Sequence, residues 1–337
     1  DDAAVGAGVA ALESALAAAG AAGRTAAGFG EAAAPRTVRT AAERSPDAAL
    51  VLLSVPGGAV IGEAMDAIAA GRHVMIFSDN VPVEHEIALK DAASRAGVLV
   101  MGPDCGTAVV GGVGLGFANV LHGAAARETA DLGRWRPAPS GGAERQAAGG
   151  PIAVGDGNAA GTPTVGVIAA SGTGAQQLTC LLDEAHVPIS AVLGLGGRDL
   201  SERVGGRSAL AALRLLQDDP GTDHIVIVSK PPHPATAQKI RAAAAAAVEA
   251  GGTPVTMVLL GAGQPTLTAA AESVLDAIGV TAPTWPTWSA DTGQDPVAGV
   301  LRGLYSGGTL ADEAMLVAGE VLGDIRSNIP LRPELAL

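Results

Sequence analysis

Aromatic side chains are scarce in this chain, with three Phe, three Trp and one Tyr among 337 residues. Any core is therefore left to Val, Leu, Ile and Ala. Cysteine is nearly missing too: Cys105 and Cys180 are too few for a disulfide framework. The start shows none of the charged, apolar and small-residue order of a secretion signal, so a reducing cytoplasmic setting is expected. Basic residues are outnumbered, 21 Lys and Arg against 34 Asp and Glu for a net charge of −13. No basic patch offsets that, which argues against nucleic acid or an anionic membrane as a partner. No apolar run reaches the length of about 18 residues that a membrane span needs; the longest bland stretch, RAAAAAAVEA at 241–250, reads as an alanine-rich helix.

Several motifs are absent as well. There is no G-x-x-x-x-G-K-[ST], so P-loop nucleotide hydrolysis is not supported. No His and Cys cluster has zinc-ligand spacing, no metal site is expected, and no G-x-S-x-G elbow presents a serine nucleophile. The GGVGLG stretch at 111–116 has spaced glycines but opens no clear helix, which makes it a poor dinucleotide fingerprint.

Against these absences stand 47 glycines and a regular alternation of short apolar runs with helical patterns, the signature of parallel sheets. AALVLLSVPGG (48–58), HVMIFSD (73–79) and VLVMGPDCGTAV (98–109) read as strands ending in turns. AVIGEAMDAIAAG (59–71) and VEHEIALKDAASRAG (83–97) read as the helices between them. Residues 3–19 read as another helix, with no apolar strand before it, so the chain looks clipped at its start. From 124 to 163 the periodicity dissolves into Ala, Gly, Pro, Ser and charge, a linker or mobile loop. Alternation then resumes with strands at 165–170, 186–197, 224–230 and 254–263. The expected organisation is a unit at 1–123, a linker at 124–163, a second α/β unit at 164–290 and a helical extension at 291–337, helical from DPVAGVLRGLYSGG through ADEAMLVAGEVLG.

In open parallel sheets ligands sit at the carboxyl ends of the strands, so the turns there are the candidates. The clearest is IAASGTGAQQL at 168–178: a strand, a turn of Ser171, Gly172, Thr173 and Gly174, then a helix start. Small residues let a ligand approach the backbone, and the first-turn amides lie at the positive end of the helix dipole, which suits an anion. Further turns are SVPGG (54–58), FSDNVP (77–82), MGPDCGTAV (101–109), GLGGRDLSE (194–202) and SKPPHP (229–234). Each also has an ordinary reading. Gly-Pro and Gly-Gly are common turn chemistry, Asp79, Asn80 and Asp199 can be helix caps, and Cys105 can be a small buried residue rather than a reactive thiol. Lys230 and His233 can be solvated loop residues.

Taken together the collinear motifs carry a family likeness. GPDCGTAV, VGVIAASGT and LGLGGRDL resemble the Gly-Pro-Asn-Cys loop, the Val-Gly-Ile-x-x-x-Ser-Gly-Thr strand and turn, and the Gly-Ile-Gly-Gly-Asp loop of the succinyl-CoA synthetase alpha subunit and the NDP-forming acyl-CoA synthetase superfamily. Within that superfamily the wording is most similar to the FdrA group, through SVPG, FSDNVPVEHEIALK, VMGPDCGTAVVGGVGLGFANV, GGRDLSE, SKPP and LRGLYSGGTLADEA. The resemblance implies an α/β protein made of a Rossmann-like, CoA-binding-type domain and a flavodoxin-like ligase domain, both with parallel sheets. FdrA proteins are usually longer at both ends, so a fragment or a short relative is expected.

The resemblance also distributes roles. It implies CoA contacts at Ser54, Val55, Pro56 and Gly57 and at Gly102, Pro103, Asp104, Cys105 and Gly106, and phosphate at Ser171, Gly172, Thr173 and Gly174. CoA is the cofactor it brings in. One departure matters for mechanism. The synthetases relay phosphate through a histidine after the last strand of the ligase domain, and here VTMVLLGAGQPTLTAAAESVL at 255–275 contains none. The supporting glutamate is replaced by Lys230 and two prolines. A phosphate cradle without a phosphohistidine suits direct transfer, and the FdrA group is associated with oxamate carbamoyltransferase. The expected function is an enzyme subunit that moves a carbamoyl group between oxalurate and phosphate. Lys230 and Arg198 would neutralise developing charge, with Gly197, Asp199 and His233 near a small carboxylate substrate. Partners implied are phosphate or carbamoyl phosphate, other subunits and further copies of the chain. Two alternatives stay open: an acyl-CoA synthetase subunit that takes its phosphoryl relay from another chain, and a non-catalytic binding or scaffold subunit.

Overall fold

The computed structural model describes residues 13–14, 34–118, 162–260, 266–287 and 299–337. The helix expected at 3–19, apart from residues 13 and 14, and the linker expected at 124–163, apart from its last two residues, lie outside the described residues.

The first sheet forms from three apolar runs, β1 (Leu50–Leu53), β2 (His73–Ile76) and β3 (Val100–Met101), all parallel and in chain order. Helices α1 (Val38–Arg44), α2 (Val60–Ala69) and α3 (Val83–Ala96) accompany it. Thr37 starts α1 with a capping box to Thr40, satisfying donors that a helix start leaves over. Val60, Ala64 and Ala67 on α2 and Leu89 and Ala93 on α3 bury with Val74 and Ile76 in one apolar cluster. The cap expected from Asp79 or Asn80 is not made: the residue before α3 is Pro82, with no side-chain cap. Proline with its fixed φ opens this helix instead.

Past β3 the chain changes sheets. β4 (Thr107–Val110) and β5 (Val113–Gly116) form a hairpin whose turn glycines, Gly111 and Gly112, have φ of 59° and 78°, the positive values that a two-residue hairpin turn requires. β4 pairs antiparallel with a strand of the second sheet, so residues 107–116, read from sequence with the first unit, belong by hydrogen bonding to the second.

That second sheet runs β5-β4-β7-β6-β8-β9, with β6 (Val165–Ala170), β7 (Ile189–Gly194), β8 (His224–Ser229) and β9 (Val255–Leu259) parallel. The order β7-β6-β8-β9 is the flavodoxin-like arrangement. Alternation along β6 divides the core. Val165, Val167 and Ala169 pack with Leu178 and Leu182 of α4 (Gly172–Glu184) and Val274 of α7 (Leu267–Ala277). Ile168 and Ala170 face the other way, onto Leu213 and Leu216 of α5 (Arg207–Gln217) and Ile240 of α6 (Pro234–Glu249). The central strands are buried on both faces, as a parallel sheet covered by helices requires.

The C-terminal segment holds α8 (Gly308–Leu322). It is shorter than the sequence pattern suggests: of the expected helix from 295, residues 295–298 lie outside the described residues and 299–307 are not helical, where Gly299, Gly303 and Gly307 disfavour helix. Leu310 of α8 packs against the α4 and α7 side of the second core. Among the described residues no helix is long and apolar enough to cross a membrane, and no group of His, Cys, Asp and Glu could hold a metal ion.

Candidate active site

The strand order reverses between β6 and β8, and the carboxyl ends of the strands at such a switch point frame a crevice. The sequence places the 171–174 turn at the end of β6 and Lys230 at the end of β8. Ser171 is the N-cap of α4, and its Oγ accepts from the Gly174 amide at 2.9 Å. That leaves the Gly172 and Thr173 amides as first-turn donors, with the helix dipole behind them. Lys230 is exposed, and a Cβ on Gly197 would lie 3.6 Å from its Nζ, so the turns after β6, β7 and β8 share one mouth.

A fourth wall comes from α8. Thr309 Oγ1 hydrogen-bonds Ser171 Oγ. Gly307, the N-cap of α8, sits so close to Thr173 that a Cβ there would be 2.2 Å from Thr173 Cγ2. Two helix N-termini thus meet at the turn. Asp312, farther along α8, is buried, and burial raises its carboxyl pKa while the charge on Lys230 opposes the rise.

The first unit closes the mouth from its own strand ends. Gly57 lies against the Asp79 and Asn80 backbone carbonyls, the Val55 amide donates to Ser78 Oγ at 2.9 Å, and the Asp104 amide donates to the Ser78 carbonyl at 3.0 Å. Ser54, Pro56 and Gly57 therefore stand beside the turn of Gly102, Pro103 and Asp104. Asp104 has φ of 58°, and its carboxyl pKa is raised by burial and by Asp79, against the charges on Lys230 and Arg198. Gly196 has φ of 79°, and a Cβ there would lie 2.0 Å from the Pro103 carbonyl oxygen. Only glycine lets the two units' loops touch this closely.

Four sequence candidates have structural employment. Asp199 is fully buried, pairs with Lys90 at 2.7 Å, and accepts from the Ser208 and Ala209 amides at 3.0 Å each. It does cap a helix, α5, but from beneath, where a ligand does not reach it. Cys105 is 2% exposed, and burial pushes its thiol pKa up to about 12, which removes the thiolate that nucleophilic chemistry needs. Gly106 lies under the Phe117 ring. His233 is the N-cap of α6, half-buried, and its amide donates to the Leu200 carbonyl at 3.0 Å.

Arg198 is half-exposed, and its guanidinium is held from behind by the Val81 carbonyl at 2.7 Å and by Glu86 Oε2 at 3.0 Å. Glu86 also pairs with Lys90 at 2.7 Å. Sequence reasoning missed Glu86, Lys90, Thr309 and Asp312. The pattern S-G-G-T before an amphipathic helix was the one available signal for Thr309.

The fold defines a two-unit α/β protein whose first sheet is parallel and whose second sheet joins four doubly wound parallel strands to the antiparallel β4–β5 hairpin. No family model matches the chain. Among curated proteins it is similar to the uncharacterized protein YahF of Escherichia coli (strain K12), 35% identical over 318 residues. That match takes in 89% of this chain and 54% of YahF, so the chain spans about half the length of this relative. Among solved structures it is similar to the dinucleotide-forming acetyl-coenzyme A synthetase 1 of Ca. Korarchaeum cryptofilum in complex with phosphate and ADP, with a TM-score of 0.43, 18% identity, and coverage of 77% of this chain and 46% of that one. It is also similar to ATP citrate lyase from Methanothrix soehngenii in complex with citrate and coenzyme A, with a TM-score of 0.47, 15% identity, and coverage of 86% and 52%.

Proposed function

We propose that this chain is the FdrA-like subunit of an oxamate-type carbamoyltransferase, with phosphate or carbamoyl phosphate held at the 171–174 turn. The observation that carries this reading is the meeting of the Ser171 turn, Lys230 and the start of α8 at the switch point between β6 and β8. Amides held by the helix start stabilise charge without reorganising during reaction, and Lys230 adds a cation beside them. In the balanced reaction a phosphate oxygen attacks the carbamoyl carbon of oxalurate. The bond from that carbon to the oxamate nitrogen breaks, and the departing nitrogen takes up a proton. Carbamoyl phosphate and oxamate result. Lys230 and Arg198 would neutralise the charge that gathers on the attacked group, and the absence of histidine from 255–275 suits a route with no phosphorylated side chain.

The loops that the family likeness assigns to CoA do not suit its phosphates. The Val55 and Asp104 amides are already spent on Ser78, the Cys105 amide donates to the Ile76 carbonyl at 3.1 Å, and Asp79 and Asp104 add negative charge. No step through CoA is therefore derived.

The test is calorimetric titration of the whole chain with carbamoyl phosphate, inorganic phosphate and CoA, repeated on a Ser171→Ala, Thr173→Ala double variant. Saturable carbamoyl phosphate binding that the double variant loses, without CoA binding, is expected. It would be followed by oxalurate formation from oxamate when candidate partner subunits are added. CoA binding alone would replace this reading with an acyl-CoA synthetase subunit, and binding of nothing would leave a scaffold.

A further inference from the structure

Thr309 and Asp312 are three residues apart on α8 and so share a helix face. Thr309 touches Ser171, which places Asp312 one turn along the same face. Asp312 is 8% exposed. Among the described residues it makes no hydrogen bond or close ion pair, although the charge on Lys230 reaches it. Its carboxylate oxygens are not among the fully buried unpaired atoms, so their acceptor capacity is open at the surface of the site, and a ligand that covers them without supplying a donor makes the loss costly. The turn that Thr309 touches offers mainly donors, the Gly172 and Thr173 amides and the hydroxyls, and Lys230 adds a charge that reaches Asp312.

We propose that Asp312 is a substrate-contacting residue of the crevice, accepting an N–H from a ligand whose anionic end lies on the 171–174 turn. This rests on the reading given under Proposed function and sharpens it to a ligand class. A carboxylate is an acceptor only. It therefore selects a phosphorylated compound that carries an amide N–H next to the phosphoryl group over one with a methyl there. Carbamoyl phosphate has that donor. Acetyl phosphate, of nearly the same shape, does not, and it would leave Asp312 buried and unpaired. A ligand seated on the turn would shut the remaining solvent away from the carboxyl of this 8% exposed residue, and that is what makes the missing bond expensive.

The experiment compares the affinities of carbamoyl phosphate, acetyl phosphate and inorganic phosphate for the full chain and for Asp312→Ala and Asp312→Asn, each variant first checked for a native melting transition. The expected result is a preference of at least about tenfold for carbamoyl over acetyl phosphate in the parent. Asp312→Ala should abolish that preference and Asp312→Asn, which keeps a neutral acceptor, should retain part of it. Equal affinities in the parent overturn the proposal even if neither variant folds, and so does a preference that survives Asp312→Ala. Either result leaves the turn as an anion site. Failure of all three compounds to bind the parent overturns the turn reading, and the role of Asp312 falls with it.

Discussion

Lys90 Nζ and Asp199 Oδ1 lie 2.7 Å apart with both side chains out of solvent, and this pair ties α3 of the first unit to the loop after β7 of the second. Lys90 also donates to Glu86 at 2.7 Å and to the Leu195 carbonyl at 3.2 Å, so its ammonium is fully used. Glu86 in turn holds Arg198. Two carboxylates and two cations thus balance where the units meet, and Arg198 is the member that reaches the crevice.

Replacing Lys90 with Met leaves Glu86 and Asp199 as buried charges without their shared partner. The expected loss is about 3–5 kcal/mol, read as a lower urea midpoint at unchanged slope. A loss under about 1 kcal/mol would mean that the network behaves as a surface pair.

Gly196 and Gly197 are neighbours with opposite tolerances. Gly196→Ala combines positive φ with a Cβ 2.0 Å from the Pro103 carbonyl and should destabilise by well over about 1 kcal/mol. Gly197→Ala meets nothing nearer than Lys230 Nζ at 3.6 Å and should melt like the parent. Equal melting temperatures for the two variants would contradict the close approach of the loops.

Thiol labelling at pH 8 should separate the two cysteines. Cys105 is buried with its pKa pushed up to about 12, whereas Cys180 is only partly buried. Labelling of the native chain should modify Cys180, while Cys105 reacts only after denaturant is added. Rapid modification of native Cys105 would reinstate it as a candidate nucleophile.

Asp312 should cost stability as it ionises. Burial raises its folded pKa above the ordinary 3.8, so over the acid range just above that value the unfolded chain holds fewer protons than the folded one. Stability then falls as pH rises through the window. Asp312→Asn removes this contribution, and its melting temperature relative to the parent should climb with pH and then level off. A difference that does not vary with pH would show that the carboxyl titrates normally.

The parallel strands could be read from their apolar runs, because strands covered on both faces, such as β2, β6 and β8, are almost wholly apolar, and the edge strands β1 and β9 keep the same kind of run though partly exposed. The hairpin of Thr107–Val110 and Val113–Gly116 could be located but not assigned to a sheet, since short Val and Gly runs carry no mark of their partner. The Ser171 turn was legible because its strand, turn and helix are contiguous. Thr309 was not, since its bond to Ser171 spans 138 residues. Glu86 and Lys90 have the spacing of an ordinary exposed helix pair, and nothing local announces that both are buried.

By itself the sequence determined which segments become strands and helices, the small-residue turn between β6 and α4 and the lack of histidine at 255–275, because each of these depends on residues a few positions apart. Only the tertiary structure decided that Asp199 and Cys105 lie beneath the crevice, and that Arg198 is held by Glu86. It also decided that α8 brings Thr309 to the 171–174 turn and Asp312 within reach of the Lys230 charge. The reason is physical: burial and charge pairing belong to neighbours in space, and here those neighbours come from opposite ends of the chain.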